Sequence, residues 1–356
     1  MKRTWRIAGI NFDHFHMGDL LRQVSEHPQA ELVGICDRLP ERMQEAKQRF
    51  GLSESQVFTN EAQCMEQCRP DIVILCPAAN EHGEWVARIA PYGAHILMEK
   101  PFAGNLAQAD AMIAAMPKGS LLAVNWPLVW DAGQQQVHAL IKQGRIGEVL
   151  EFQHYGGNRG PLYHGADKTE HQPSAAEKAA SWFYRAAQGG GSLLDYMGYG
   201  ATLGSWHLGN QVPLSVNCSW HIPTGLEVDE HAIAVIAYAH GLSRSETRWG
   251  TFTDPWTHQP QPKCGFVIRG SLGTLSCYDY ETFVTLQDRD HPQGLRLEAP
   301  AVQAPCRNPI ENLIHHLETG APLIGPLTLE TSRLGQRIVD TAFQSAQAGR
   351  SLPLLP

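Results

Sequence analysis

Five short apolar runs, each followed by a helical pattern, occupy the first third of the chain and leave few folds open to it. The runs are Trp5–Asn11, Leu32–Cys36, Asp71–Cys76, His95–Met98 and Leu121–Asn125. Between them lie helical patterns at Met17–His27, Pro40–Phe50, Glu61–Cys68, Glu81–Ala90 and Asn105–Met116, with Asn105 suited to cap the last. Strands apolar along their whole length need cover on both faces, which parallel sheets receive from their crossover helices. Right-handed crossovers then lead to a doubly wound α/β sheet.

Beyond Asn125-Trp126-Pro127 the pattern changes. A helix at Gln134–Gln143 is followed by strand-like stretches at Val149–Tyr155, Leu214–Ile222, His231–Tyr238, Gly265–Arg269 and Thr274–Tyr278, and a late helix covers Leu329–Gln347. Alternation in Ala232–Tyr238 predicts an antiparallel sheet with one face against helices and one face free. The expectation is an α/β chain of two domains. Residues 1–124 form a Rossmann-type, dinucleotide-binding parallel sheet. Residues 125–356 form an α+β domain with an open, mostly antiparallel sheet that binds substrate and mediates oligomerisation. The polar, glycine- and proline-rich stretch 156–181 is long for a connection and is expected to form a substrate-side loop.

Charge excludes some partners. The 356 residues carry 28 Lys and Arg against 36 Asp and Glu, a formal net charge of -8. Nucleic acids and anionic membranes call for clustered cations, so neither is expected as a partner. No apolar run reaches the ~18–20 residues of a membrane span, and the first residues lead directly into a strand. The eight cysteines contain no CxxC pair, and Cys36 and Cys76 fall inside apolar runs. They predict buried free thiols in a cytoplasmic protein. Asp13, His14 and His16 cluster in sequence, as do His315 and His316, but neither group has the spacing of a metal motif, so no metal is expected.

Chemistry concentrates at four places. The turn after the first strand reads Gly9-Ile10-Asn11-Phe12-Asp13-His14, where a dinucleotide fold places G-x-G-x-x-G. Only Gly9 is kept; Asn11 tolerates the positive φ that the second glycine serves, whereas His14 is bulkier than the third. Asp37 ends the second strand, where an acid receives the adenosine ribose hydroxyls and disfavours a 2′-phosphate, with Arg38 beside it. Glu99-Lys100-Pro101 follow the fourth strand, and a lysine there can stabilise a developing alkoxide. In the second domain, Gly189–Gly191 precede a helix carrying Asp195 and Tyr199 four positions apart, on one helical face.

Together Asp37, the Pro77–His82 segment (PAANEH), Gly93, Glu99-Lys100-Pro101 and the GGGSLLD run ending at Asp195 resemble the Gfo/Idh/MocA oxidoreductase family along essentially the whole chain. The resemblance implies NAD, with NADP possible, a sugar or cyclitol substrate, and a homodimer or homotetramer packed through the second sheet. It implies cofactor contacts from Gly9, Asn11, Phe12, Asp37, Arg38, Pro77, Asn80, His82, Glu99 and Lys100. The family's usual histidine four residues after the aspartate is Tyr199 here, as in glucose-fructose oxidoreductase.

The expected reaction moves hydride between nicotinamide and a sugar hydroxyl or carbonyl. Tyr199 is the acid/base, Lys100 stabilises the oxyanion and Asp195 orients hydroxyls. Tyr155, Asn158, Arg159, Tyr163, His164, Trp182, Tyr184 and Arg185 are candidates for the substrate wall. Two other readings stand beside this one: a redox-neutral, NAD-dependent glycoside hydrolase or lyase, and a non-catalytic dinucleotide or sugar sensor.

Overall fold

In the computed structural model, which describes residues 3–164 and 170–356, the five apolar runs of the first part form parallel strands as expected, joined by a two-residue strand, β3, that the sequence did not announce. The strands are β1 (Trp5–Ile10), β2 (Ala30–Cys36), β3 (Val57–Phe58), β4 (Ile72–Leu75), β5 (His95–Glu99) and β6 (Leu122–Asn125). Their order is β3-β2-β1-β4-β5-β6, with every pairing parallel. Helices α1 (Met17–Glu26), α2 (Gln44–Arg49), α3 (Glu61–Cys68), α4 (His82–Ile89) and α5 (Leu106–Ala115) connect them. Asn105 caps α5 as predicted, its side chain accepting the Gln108 N–H.

The second part contains α6 (Ala132–Lys142), β7 (Val149–Asn158), α7 (Ala175–Ala180), α8 (Ser192–His207), β8 (Ser215–His221), β9 (His231–Tyr238), β10 (Gly241–Trp249), β11 (Gly265–Gly270), β12 (Gly273–Tyr278), β13 (Phe283–Asp288) and β14 (Leu295–Glu298). After α9 (Pro309–Thr319) and α10 (Leu329–Ala348), the chain adds β15 (Leu352–Pro353). The nine-stranded sheet runs β14-β13-β12-β11-β7-β10-β9-β8-β15 and is antiparallel except for the β7–β10 pair.

In the second sheet, sequence reasoning missed β10, β13, β14 and the two-residue β15. In β10 (GLSRSETRW), the covered side is Ser243, Ser245 and Thr247, and Arg244, Glu246 and Arg248 point the other way. With hydroxyls in place of aliphatic side chains, no apolar alternation announces the strand. Those small residues are needed because α8 packs against β7 and β10. A Cβ on Gly200 would lie 2.2 Å from Ser245 Oγ and 2.4 Å from His154 Nδ1, so only glycine lets the helix lie this close.

The chain divides into two units, one made of residues up to Asn125, His164 and Glu170, and Ala304–Leu329, the other of the rest. The first unit is thus discontinuous, whereas the sequence reading divided the chain once, after residue 124. The reason is apolar: Ile310, Leu313 and Ile314 of α9 join Met17, Leu20, Leu21 and Val24 of α1 and the strand residues Ile7, Ile35, Ile72 and Leu97 in one core. Trp5 Nε1 also donates to Glu318 at 2.9 Å.

Two buried acids make the second unit sensitive to substitution and pH. The start of α8 has no capping side chain of its own, because its N-cap is Gly191 at φ 104. Asp229 supplies the cap from elsewhere in the chain, its Oδ2 accepting Ser192 Oγ at 2.5 Å and Leu193 N at 3.0 Å. Burial pushes its carboxyl up to about 6 against those hydrogen bonds. Asp229→Ala should cost about 1–3 kcal/mol in urea unfolding by leaving those donors unmatched, and Asp229→Asn, which keeps an acceptor, should cost less. Asp279 follows β12, 3% exposed, and its Oδ1 has no hydrogen-bond partner among the described residues. Burial, and then Asp131, push its carboxyl up to about 7. The folded chain therefore keeps a proton that the unfolded chain releases near ~3.9, and stability falls as pH rises from there to about 7. Asp279→Asn should raise the melting temperature at about pH 8, with the gain vanishing towards about pH 4. A gain independent of pH would refute this assignment.

Candidate functional site

The carboxyl ends of β1, β2, β4 and β5 carry the first unit's polar groups, which is where open α/β sheets bind ligands. Asn11 follows β1 at φ 67, taking the left-handed conformation that the second glycine of a dinucleotide turn provides. Gly9 lies against Met17 and Leu21 of α1: a Cβ there would come 2.9 Å from Leu21 Cδ2 and 3.0 Å from Met17 Sδ, so those side chains would have to give way. His14 occupies the third glycine's place, and α1 begins three residues later at Met17. Strand and helix therefore make their close approach at Gly9, and His14 lies in the turn before the helix starts.

Asp37 is 2% exposed at the end of β2. Its Oδ2 accepts the Phe12 N–H at 2.7 Å and its Oδ1 accepts the Leu39 N–H at 2.8 Å. A carboxylate offers about four lone-pair sites, so each oxygen retains capacity for a ribose hydroxyl. Arg42 pairs with Asp13 and lies 3.8 Å from Asp37. Arg38 is exposed, with its guanidinium 5.3 Å from the Trp85 ring centroid and 3.9 Å from Glu84. With Asn11, Gly9 and Asp37 so arranged, this end of the sheet fits an NAD-type dinucleotide.

The Pro77–His82 segment follows β4. His82 is fully buried, and its ring nitrogens face the carbonyls of Phe102 at 3.0 Å and Pro77 at 3.1 Å. It ties the turn after β4 to the turn after β5. Burial lowers its pKa, against the two carbonyl contacts. Asn80 is half-buried, and its carbonyl accepts Gln108 Nε2. Glu99 is 0% and Lys100 4% exposed, and the Lys100–Pro101 peptide is cis. Glu99 Oε1 meets His16 Nδ1 at 2.8 Å, and its Oε2 accepts Asn125 Nδ2 at 2.8 Å. Sequence reasoning set His16 aside and did not single out Asn125. No local signal joins residues 83 positions apart. The only trace was a histidine beside the dinucleotide turn and a polar residue ending an apolar strand.

In the second unit, Asp195 and Tyr199 lie on α8, 3% and 5% exposed. The Tyr199 ring is edge-on to Trp126 at 5.7 Å and to Tyr196 at 5.3 Å. Of the residues predicted for the substrate wall, Tyr163 and Tyr184 come together with Arg159. The Arg159 guanidinium lies 4.7 Å over the Tyr163 ring, and Lys178, which sequence reasoning missed, lies 5.3 Å from both tyrosine rings. Tyr184 also packs 5.5 Å from Trp249. Its phenol is pushed up by burial and then by Glu230, Tyr163 and Asp195.

Others of that group lie apart. Tyr155 is two positions along β7 from Gln153, on the side opposite His154 and Asn158, as the two-residue period of a strand requires. Asn158 is 5% exposed on the covered side. Trp182 stacks on Phe183 at 3.9 Å, and exposed Arg185 donates to the Ala179 carbonyl. His164 belongs to the first unit and meets Phe15 edge-on at 5.2 Å. Residues 165–169 of the predicted substrate loop lie outside the described residues.

Residues 5–125 match the family described as "Oxidoreductase family, NAD-binding Rossmann fold", and residues 134–276 match its "GFO/IDH/MocA C-terminal domain". Among curated relatives, D-apiose dehydrogenase of Paraburkholderia graminis is 32% identical over 119 residues, covering 33% of this chain and 31% of that protein. The chain thus matches about a third of that relative's length. The crystal structure of aldose-aldose oxidoreductase from Caulobacter crescentus, complexed with glycerol, superposes with a TM-score of 0.80 at 19% identity, covering 99% of this chain and 100% of that one. The WlbA dehydrogenase of Bordetella pertussis, in complex with NADH and UDP-GlcNAcA, superposes with a TM-score of 0.77 at 19% identity, over 99% and 100% of the chains. At these identities the structural likeness is one of fold. The two matched regions establish that the chain belongs to the GFO/IDH/MocA oxidoreductase family.

Proposed function

We propose that the chain is an NAD(P)-dependent oxidoreductase acting on a hydroxyl or carbonyl of a sugar or cyclitol. The observation that carries this reading is Lys100, an ammonium 4% exposed at the carboxyl end of β5 in a sheet of dinucleotide-binding order. The D-apiose dehydrogenase relative supports a sugar-like substrate, and the NADH-bound Bordetella structure supports a nicotinamide cofactor.

Gly9, Asn11, Phe12, Asp37, Arg38, Pro77, Asn80, His82, Glu99 and Lys100 form the cofactor-side set. Phe12 and Asp37 lie at the phosphate and ribose end, and His82 holds two of the turns in place. When bound, nicotinamide accepts or returns a hydride. Lys100 donates a hydrogen bond to the reacting oxygen and stabilises its negative charge. Tyr199 exchanges the proton of that oxygen, and Asp195 orients neighbouring hydroxyls. Asp37 favours NAD over NADP, since its carboxylate repels a 2′-phosphate.

Assembly as a homodimer or homotetramer through the uncovered face of the nine-stranded sheet completes the reading. Val235 is 40% and Leu242 59% exposed on that face. No helix among the described residues is long and apolar enough to cross a membrane.

A screen of sugars and cyclitols with NAD and NADP, followed at the NADH absorbance band, tests the function. Turnover with at least one such compound is expected, and sugar-dependent cleavage with no net change at that band would favour the redox-neutral alternative. Tyr199→Phe should lower kcat by ~10²–10⁴-fold with little change in dinucleotide affinity, and near-normal turnover would remove Tyr199 from the role. Asp37→Ser should weaken NAD binding and narrow the gap to NADP in direct titrations. An unchanged NAD affinity would take Asp37 out of the ribose site.

A further inference from the structure

Three buried polar atoms in one corner of the second unit have no hydrogen-bond partner among the described residues: Asn158 Oδ1, Tyr184 Oη and Trp249 Nε1. The three residues are 5%, 5% and 2% exposed. Asn158 and Trp249 end β7 and β10 and are partners in the parallel register, so their side chains emerge side by side on the covered face. The Trp249 ring lies 5.5 Å from that of Tyr184 and so links Asn158 to the tyrosine. Buried polar groups in folded proteins are paired in the great majority, and three left open in one place call for an occupant.

Two cations flank this corner. A Cβ on Gly160 would lie 3.1 Å from both Tyr184 Oη and the Tyr163 ring, so the phenol reaches the turn that follows Arg159. Lys178 Nζ lies 5.3 Å from the centroids of the Tyr163 and Tyr184 rings, and Arg159, Tyr163 and Lys178 are half-buried. Among the described residues no acid pairs with Lys178. Its neighbour Glu177 is committed to the capping box of α7 with Ser174, and to His171 at 3.3 Å. Ring faces attract an ammonium but leave its charge unneutralised. Arg159 is fixed by Asp254, which accepts its backbone N–H at 2.9 Å, and by Gln172, which accepts from its guanidinium at 3.1 Å. A guanidinium held in this way presents the planar fork that matches a carboxylate.

The remaining groups set the size of the charge. The Tyr184 phenol, pushed up by burial and then by Glu230, Tyr163 and Asp195, stays protonated and serves as a donor. Trp249 Nε1 is a donor only, whereas Asn158 Oδ1 accepts and suits a hydroxyl. Glu230 and Asp195 oppose a second negative charge, which favours a monoanion over a phosphate dianion. Asp195, within electrostatic reach of Tyr184, is the residue assigned above to substrate hydroxyls.

We propose that the substrate is a sugar acid, a uronate or an aldonate, whose carboxylate is received by Arg159 and Lys178, with the Tyr184 phenol and the Trp249 indole donating to it or to the adjacent oxygen. The inference deepens the oxidoreductase reading and rests on it for the sugar. The acid comes from the corner itself.

The test uses the full chain, with binding followed by calorimetry and turnover at the NADH absorbance band. D-Glucuronate and D-gluconate should bind about 10–100-fold more tightly than D-glucose. The indole ¹⁵N–H resonance of Trp249, assigned with Trp249→Phe, should shift with the acids and not with glucose. Lys178→Gln and Arg159→Gln should each lower the acid-to-neutral ratio by about 10-fold, and Lys178→Arg should keep it. Tyr184→Phe should lower it by less. Equal affinity for acids and glucose, or an unchanged ratio in both cation variants, would overturn the proposal and leave water as the occupant. Tighter binding of D-glucose 6-phosphate than of either acid would overturn the carboxylate assignment. Nicotinamide-dependent turnover confined to neutral sugars would overturn this inference and leave the oxidoreductase reading intact. Sugar-acid binding without nicotinamide-dependent turnover of any sugar would instead overturn that reading.

Discussion

The close seat of α8 on β7 and β10 is the constraint around which the second unit is built. A helix buried on nearly every side has little freedom to turn, so Asp195 and Tyr199 are fixed in direction by the residues beneath them. Serine and threonine hydroxyls on β10 and a glycine on the helix keep that layer thin. Such packing is intolerant of even one added methyl group. The cap from Asp229 fixes the axial position of the same helix, because the glycines that admit the chain to this turn cannot supply a capping side chain. Placement of the two polar residues thus depends on the packing and capping of the whole helix.

Much of the fold was legible because it is written in local patterns. Continuous apolar strands of four to seven residues, separated by helices, imply a parallel sheet without any knowledge of pairing. The second sheet was read only in part. Strands such as β9, with an aliphatic run from Ala232 to Ala237, stood out, while β10 exchanged that signal for small hydroxyl residues to admit a helix. The attachment of α9 to the first unit was invisible for another reason: its apolar face is ordinary, and nothing local says which core it joins.

The candidate site divides along the same line. Asn11, Asp37 and Lys100 were legible from rank order along the chain, since strand ends in such sheets collect polar groups whatever their sequence. The bond between His16 and Glu99 was not, because it joins the turn after β1 to the end of β5 across the intervening β4, a placement set by the strand order and not by any local pattern. Tyr155 and Asn158 fell into one predicted wall although the pleat sends them to opposite sides, an error that a strand boundary three residues longer would have prevented.

The discontinuity of the first unit has a consequence for how the protein is made. A chain emerging from the ribosome has presented every strand of the dinucleotide sheet once residue 125 of 356 is made, but α9 comes more than 180 residues after β6. Until then the outward side of α1 lacks the partner that Ile310, Leu313 and Ile314 provide. The nascent domain must wait through synthesis of almost the entire second unit with that apolar stripe uncovered, a period in which a holding chaperone has something to grip.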